Sequence, residues 1–173
     1  MKYFKTQIRY HVAKFLALVS ATLLLGMTAT SGASAQTDTF QVTATVNATC
    51  SVSATDLAFG VYDPFSATDI DGTVTLTVLC TNTTDYDIGL DEGTGQGATV
   101  TTRVMESGAN DLTYSLYQNT QRTTVWGDTV GVDTVSDTGT GSNQTFTVYG
   151  RLFALQNAAP GSYSDTVTVT VTF

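Results

Sequence analysis

The decapeptide SDTVTVTVTF, residues 164–173, carries the strongest structural signal in this sequence. Its apolar positions alternate with threonines and are Val167, Val169, Val171 and Phe173. Because successive side chains of a strand point to opposite faces, this period of two predicts a strand with one apolar and one polar face. The β-branched residues favour the same conformation. We expect no hairpin partner after this strand.

A second alternating stretch covers residues 40–48. Its apolar positions are Phe40, Val42, Ala44, Val46 and Ala48. This pattern also predicts an extended strand, and the extended segment covers residues 39–54. Two long strands near opposite ends of a small chain pair either within one molecule or between molecules. The pattern alone leaves both alternatives open.

The sequence between these stretches contains short alternating segments and no segment of helical period. The predicted strands are residues 57–61, 73–80, 86–90, 100–105, 112–117 and 145–154. Gly150 inside the last strand indicates a bulge or a close-packing point. The polar residues 127–143 are predicted as a surface loop or a frayed pair of short strands. About eight strands separated by turns indicate an all-β sandwich or barrel in one domain.

Residues 1–35 have the pattern of a secretory signal peptide. Four basic residues and an apolar run of 13 residues precede the small-residue cleavage site Ala33-Ser34-Ala35. The run is shorter than the roughly 20 residues that a helix needs to span a bilayer. We therefore expect export, cleavage before Gln36 and no membrane insertion afterwards. An uncleaved anchor is the alternative.

Cleavage would leave a strongly acidic chain. Arg103, Arg122 and Arg151 would remain against all 15 acidic residues, without lysine or histidine, so the formal charge would be −12. Such a surface disfavours binding to nucleic acid and to anionic membranes. The usual general bases and Schiff-base nucleophiles are also missing. We therefore predict no enzyme, no catalytic residue and no cofactor.

The two cysteines, Cys50 and Cys80, both lie in the exported part. In an oxidising compartment they most simply form one disulfide. Both occupy core-facing positions of their predicted strands, as a bridge between neighbouring strands requires. Closing a segment of about 30 residues would stabilise the fold by roughly 3–4 kcal/mol. Two free buried thiols are the alternative, and no metal site is expected because no histidine completes it.

Four stretches of the chain together match a known pattern. They are an alternating segment that runs into the first cysteine (40–50), a strand that ends in the second cysteine (74–80), the pentapeptide VYGRL (148–152) and the ending GSYSDTVTVTVTF (161–173). Their order resembles the spore coat protein U domain family, which includes major subunits of archaic chaperone–usher pili. The resemblance covers residues 36–173. The ending, close to the family pattern G-x-Y-x-D-x-x-x-V-x-F, is its most specific part.

The resemblance implies an immunoglobulin-like β-sandwich, residues 49–173, that lacks its last strand. The gap would leave an acceptor groove beside the C-terminal strand, with edge residues Tyr163, Val167, Val169, Val171 and Phe173. A periplasmic chaperone would fill this groove with one of its own strands. At an outer-membrane usher, residues 36–48 of the next subunit would replace that strand. The donor residues would be Phe40, Val42, Ala44 and Val46.

The implied function is that of a structural subunit of a surface pilus, exported through the periplasm. Such a homopolymer would support adhesion and biofilm formation. The residues also suggest an alternative, a secreted or surface-coat binding module that is complete as a monomer and acts as a lectin. Its sugar-stacking residues would be Tyr114, Tyr117, Trp126 and Tyr149.

Overall fold

The computed structural model describes residues 32–173, so most of the predicted signal peptide lies outside the described residues. The described residues belong to two units, 32–43 and 44–173. Residues 32–49 contain no strand, and their side chains are exposed. No helix among the described residues is long and apolar enough to cross a membrane.

Residues 44–173 form eight strands in two antiparallel sheets. The strands are β1 (Cys50–Ala54), β2 (Ile70–Cys80), β3 (Asp85–Leu90), β4 (Arg103–Ser107), β5 (Asn110–Tyr117), β6 (Val135–Thr138), β7 (Gln144–Leu152) and β8 (Val169–Thr172). Their order is β1-β2-β7-β5-β4 in the five-stranded sheet and β6-β3-β8 in the three-stranded sheet. This architecture confirms the predicted all-β sandwich.

The core lies between the two sheets. Strands β2 and β7 alternate apolar and polar residues, and their inward side chains include Leu76 and Val148. Ile88 and Leu90 of β3 join the same buried cluster from the smaller sheet. Trp126 is also fully buried, and its Nε1 donates a hydrogen bond to the Ile88 carbonyl at 2.8 Å. The alternation of the sequence thus produces two apolar faces that cover each other.

A slot formed by two glycines receives the segment after β1. Gly72 and Gly150 are directly opposite each other on β2 and β7. The side chains of Leu57 and Phe59 lie against both of them, where a Cβ atom would collide with Leu57. The prediction of a strand at residues 57–61 is therefore wrong, because this segment fills the slot with side chains instead of joining a sheet. Gly150 is a close-packing point, one of its two predicted roles.

Other predicted elements differ in extent; β4, for example, covers Arg103–Ser107 where residues 100–105 were predicted. Strand β1 covers only the last five residues of the extended segment predicted at 39–54. The predicted loop at 127–143 contains β6, which pairs with β3. Strand β8 is four residues long, whereas the prediction was ten. An isolated bridge pairs Ser164 with Glu106 of β4, so the chain contacts the five-stranded sheet before it joins the three-stranded sheet as β8.

The predicted disulfide joins β1 to β2. Cys50 and Cys80 are directly opposite each other in the ladder, and the structure contains the bond between them. Cys80 is buried and Cys50 is half-buried, in agreement with their predicted core-facing positions. The described residues contain no free cysteine.

One of the three arginines within residues 32–173 is completely buried. The guanidinium of Arg103 donates four hydrogen bonds of 2.7–2.9 Å, all to backbone carbonyls. The acceptors are Asp91, Val100, Leu90 and Trp126. A buried carbonyl without a hydrogen-bond donor is costly. These four bonds therefore stabilise the region where β3, β4 and Trp126 meet. Burial lowers the pKa of Arg103.

Candidate binding groove

Two edge strands of the sandwich pair on one side only. β1 is an edge of the five-stranded sheet and β8 an edge of the three-stranded sheet. Some Cα atoms of the two strands come within 8 Å of one another. An edge strand presents a row of backbone donors and acceptors to any strand that adds to it. The two edges therefore define the candidate site.

Along β8, the backbone N–H and C=O groups of successive residues point alternately toward β3 and toward the open side. Asp91 donates its N–H to the Thr168 carbonyl at 3.2 Å, in register with the β3–β8 ladder. Hydrogen-bonded and non-hydrogen-bonded pairs alternate in an antiparallel ladder, so Val169 and Val171 turn their backbone groups toward the open side. Their side chains are half-buried and face the core. The same residues thus offer an apolar side chain and free backbone groups.

The β1 edge repeats this arrangement. Hydrogen bonds from Thr81 to the Thr49 carbonyl and from Thr55 to the Thr75 carbonyl fix which residues face β2. By the same alternation, the backbone groups of Val52 point to the open side, and its half-buried side chain packs against the core. A strand inserted between β1 and β8 needs its two neighbours about 9.6 Å apart, so the edges must separate where their Cα atoms lie within 8 Å. Such a strand would then meet unpaired backbone groups on both sides.

A cavity of about 420 Å³ lies between these edges. Its floor is the inner face of the five-stranded sheet, and its walls are the chain just after β1 and the residues that lead into β8. Apolar lining residues include Leu57, Leu76, Leu90, Val167 and Val169. A second cavity of about 730 Å³ continues from it and also contacts Leu57. We use the word groove for the first cavity together with the open edges of β1 and β8.

Two aspartates line the groove, the exposed Asp56 just after β1 and the half-buried Asp165 in the wall that leads into β8. The Asp165 carboxylate is held by four hydrogen bonds. Its Oδ1 accepts hydrogen bonds from the Thr94 N–H (2.7 Å), the Thr94 hydroxyl (3.0 Å) and the Thr166 N–H (2.7 Å). Its Oδ2 accepts one from the Tyr114 hydroxyl at 2.7 Å. A Cβ atom at Gly93 would overlap this carboxylate. The four bonds hold the chain before β8 by side-chain contacts, which explains why β8 is shorter than predicted.

Asp91 holds the same stretch of chain from the other side. Its Oδ1 accepts hydrogen bonds from the N–H groups of Gly93 (3.0 Å) and Thr168 (2.8 Å). Burial raises the pKa of the Asp91 carboxyl, but the hydrogen bonds from Thr168 and Gly93 outweigh it and the pKa is lowered. In contrast, burial and the hydrogen bond to Asp165 raise the pKa of Tyr114. Asp91 is therefore a charged anchor, and Tyr114 is a neutral hydrogen-bond donor.

The first two positions of the family-like ending also have packing roles. A Cβ atom at Gly161 would crowd the Ser107 hydroxyl, so this position needs a residue without a side chain. The Tyr163 hydroxyl donates to the Ala159 carbonyl at 2.8 Å and closes the turn that precedes the groove. Together with Asp165, these residues position the wall of the groove.

The structure places the predicted site residues in two groups. The acceptor residues Tyr163, Val167, Val169 and Val171 are half-buried along the groove wall, and Phe173 is exposed. The donor residues Phe40, Val42, Ala44 and Val46 are exposed and lie outside any strand. Their apolar side chains have no cover in the described structure; Phe40 is 89% exposed.

Sequence reasoning missed two contributors to the groove, Leu57 and Asp91. The alternating pattern predicts a strand at Leu57, whereas the glycines of β2 and β7 indicate that another part of the chain packs closely against these strands. Asp91 precedes Gly93 in the kind of Asx turn that the residue types favour. Its second bond, to Thr168, is 77 positions away and has no local signal.

The aromatic residues do not form an exposed patch. Trp126 and Tyr114 are buried, with 1% and 4% of their surface exposed, while Tyr117 and Tyr149 are half-buried. The ring of Tyr149 lies under Arg122, 5.7 Å from the guanidinium carbon. Trp126 and Tyr114 are therefore not accessible for stacking on a sugar in this arrangement. Within residues 32–173, no group of three or more acidic, histidine or cysteine side chains is arranged to hold a metal ion.

Comparisons with known proteins agree with this architecture. Residues 36–170 match the Spore Coat Protein U domain family. The chain is 36% identical over 174 residues to Protein U of Myxococcus xanthus, with 91% of this chain and 97% of that protein covered.

A solved structure with the same fold is the CsuC–CsuE chaperone–tip adhesion subunit pre-assembly complex from the archaic chaperone–usher Csu pili of Acinetobacter baumannii. The TM-score is 0.54 and the sequence identity is 24%, with 75% of this chain covered. The match spans 40% of the length of that chain. At this sequence identity, the similarity between the two proteins shows a shared fold and nothing further.

Proposed function

Because the chain belongs to the Spore Coat Protein U domain family, we propose that it is a structural subunit of a surface pilus built by donor-strand complementation. Residues 36–48 of one copy would act as the donor strand, and the groove of the next copy, within residues 49–173, would accept it. The open groove between two unpaired edges is the observation that supports this proposal most strongly.

The chemistry of both parts suits strand addition. The donor segment alternates apolar and polar residues and is exposed along its whole length. The groove offers unpaired backbone groups on both edges and an apolar floor between them. In strand addition, main-chain hydrogen bonds supply affinity and pockets for alternate side chains supply specificity. The alternating donor segment and the groove are therefore complementary. A donor segment from another copy would bury its own apolar side chains and the apolar floor of the groove.

The positions of the two ends determine the direction of the donor strand. The short turn between Cys80 and Asp85 puts the start of β3 beside Cys50, at the end where the donor segment leaves the sandwich. Thr172 pairs with Asp87 near the start of β3, so the Phe173 end of the groove lies there too. A donor that enters at the same end would give closed pairs of copies. A linear fibre needs the donor to enter at the opposite, Tyr163 end, antiparallel to β8.

The proposal implies a set of partners and a location. An open apolar groove is an aggregation hazard in an exported chain, so a periplasmic chaperone would cover it until assembly at an outer-membrane usher. The fibre would then extend from the cell surface and support adhesion and biofilm formation. The acidic surface would keep the fibre soluble and away from nucleic acid.

Electrophoresis of unheated and heated samples tests the proposal. The exported chain should give a ladder of assemblies that collapses on boiling, and a chain without residues 36–48 should not. Val42→Asn, which makes one inward donor position polar, should remove most of the ladder. Thr43→Asn changes the neighbouring outward position and is the matched control. A single monomer band from all four chains would refute the proposal and indicate a self-complete binding module.

A further inference from the structure

Asp165 is the one charged side chain that faces the groove from the C-terminal wall, residues 163–169. Its four hydrogen bonds already occupy both oxygens. A large apolar side chain of the donor strand would exclude water from this carboxylate and would supply no hydrogen bond. Such desolvation of a charged group is unfavourable. A methyl group is small enough to leave the carboxylate and its partners in place.

We propose that Asp165 sets the register of the donor strand by accepting only a small side chain, and that Ala44 is the donor residue opposite it. This inference rests on the proposed function. Ala44 is the one small residue among the donor positions named above. The Ala44 side chain is too small to fill a pocket, but a small side chain is what the position opposite Asp165 requires.

The parity of the two strands limits the alternatives. The core-facing residues of the wall have odd numbers, and the apolar donor residues have even numbers. Directly opposite residues of an antiparallel pair share a face, so the register can shift only in steps of two. With Ala44 opposite Asp165, Phe40 lies opposite Val169, Val42 opposite Val167 and Val46 opposite Tyr163.

The cavity excludes one alternative register without reference to Asp165. Its wall includes Val167 and Val169 but not Val171. The proposed register brings the only aromatic donor residue, Phe40, to this volume of about 420 Å³. A shift of two in one direction places Val46 on the carboxylate, and in the other direction Val42. A shift of four puts Ala48 there but leaves the cavity beside Val169 to the methyl group of Ala44.

Cysteine pairs on the outer face of the new ladder distinguish these registers. Thr43, Thr166 and Thr168 are all exposed, so their replacement leaves the apolar side chains of the groove unchanged. In the proposed register Thr43 lies opposite Thr166 in a non-hydrogen-bonded pair, with Cα atoms about 4.5 Å apart, whereas Thr168 is a diagonal neighbour. The chain with Thr43→Cys and Thr166→Cys should therefore give a ladder that survives boiling and collapses only with reductant. The matched chain with Thr43→Cys and Thr168→Cys should be cross-linked at least about tenfold less.

Each outcome of this experiment decides a separate question. Stronger cross-linking through Thr168 overturns the proposed register. An unheated ladder with no cross-link in any pair also overturns it and leaves donor-strand assembly standing. Absence of the unheated ladder from every variant, and from the unmodified chain, refutes the proposed function itself.

A size change at the donor positions gives a second readout. Ala44→Leu should reduce the ladder at least about tenfold, because a large side chain would press on the Asp165 carboxylate. Thr43→Leu enlarges the neighbouring outward position, which is exposed, and should change the ladder less than about threefold. Equal effects of the two substitutions would contradict the role of Asp165.

Discussion

Replacement of Gly150 by alanine should destabilise the sandwich although it adds only one methyl group. The new Cβ would lie 2.6 Å from Leu57 Cδ2 and 3.0 Å from Phe59 Cζ, without relaxation. Carbon atoms pack at about 3.5–4.0 Å, so the Leu57 side chain must move by roughly 1 Å. The opposite glycine, Gly72, already holds the other methyl group of Leu57 closely. Overpacking of this kind costs about 1–3 kcal/mol.

Urea unfolding followed by tryptophan fluorescence measures this cost, because the sole tryptophan, Trp126, is buried in the core. The Leu57→Ala background is the control, since it removes the side chain that the new methyl group meets. There the Gly150→Ala cost should fall by at least about 1 kcal/mol, a coupling typical of residues in contact. Equal costs in both backgrounds, or a cost below about 0.5 kcal/mol in the unmodified chain, would refute the packing explanation.

Three further substitutions test other features of the fold. Replacement of Cys50 and Cys80 by alanine opens a loop with a sequence separation of 30 and should lower the free energy of unfolding by about 3–4 kcal/mol in urea; a loss under about 1 kcal/mol would contradict this. Arg103→Lys cannot reproduce the four-bond fork and should cost about 1–3 kcal/mol, whereas an unchanged urea midpoint would show that the carbonyls find other donors. The hydrogen bond from Arg151 lowers the pKa of Asp71 below its ordinary 3.8, so its contribution is present above that value and is lost as the pH falls through the lowered pKa. Below about pH 4 the free energy of unfolding should therefore fall more steeply for the natural chain than for Asp71→Asn, by less than about 1 kcal/mol because the pair is exposed, and parallel pH profiles would contradict the assignment.

Alternation predicted the central strands well because packing and pattern agree there. In β2 and β7, every second residue is apolar and meets the opposite sheet, so the local signal and the tertiary environment coincide. The cysteine positions followed from the same parity. The strand at 57–61 was wrong because its alternating side chains enter a slot between two glycines, and periodicity does not reveal what a side chain packs against.

The ends of the groove were harder to predict than its residues. Valine and threonine continue through residues 166–172, so the pattern gives no sign that β8 begins only at Val169. The interruption comes from the carboxylates of Asp91 and Asp165, which take the backbone N–H groups of Thr168 and Thr166. The Asp91–Thr168 bond connects residues 77 positions apart, so no local sequence pattern predicts it.

The disulfide at the start of β1 also has a mechanical consequence. Cys50 is the first residue of this strand, so a pull on the preceding chain reaches the sandwich there. The sulfur bridge carries that load directly to β2, an interior strand with neighbours on both sides. The hydrogen bonds of the five-residue edge strand are thereby bypassed, and β1 cannot be peeled away from this end while the bridge is intact. In the proposed fibre, tension on residues 36–48 would therefore reach β2 without first loading the hydrogen bonds of β1.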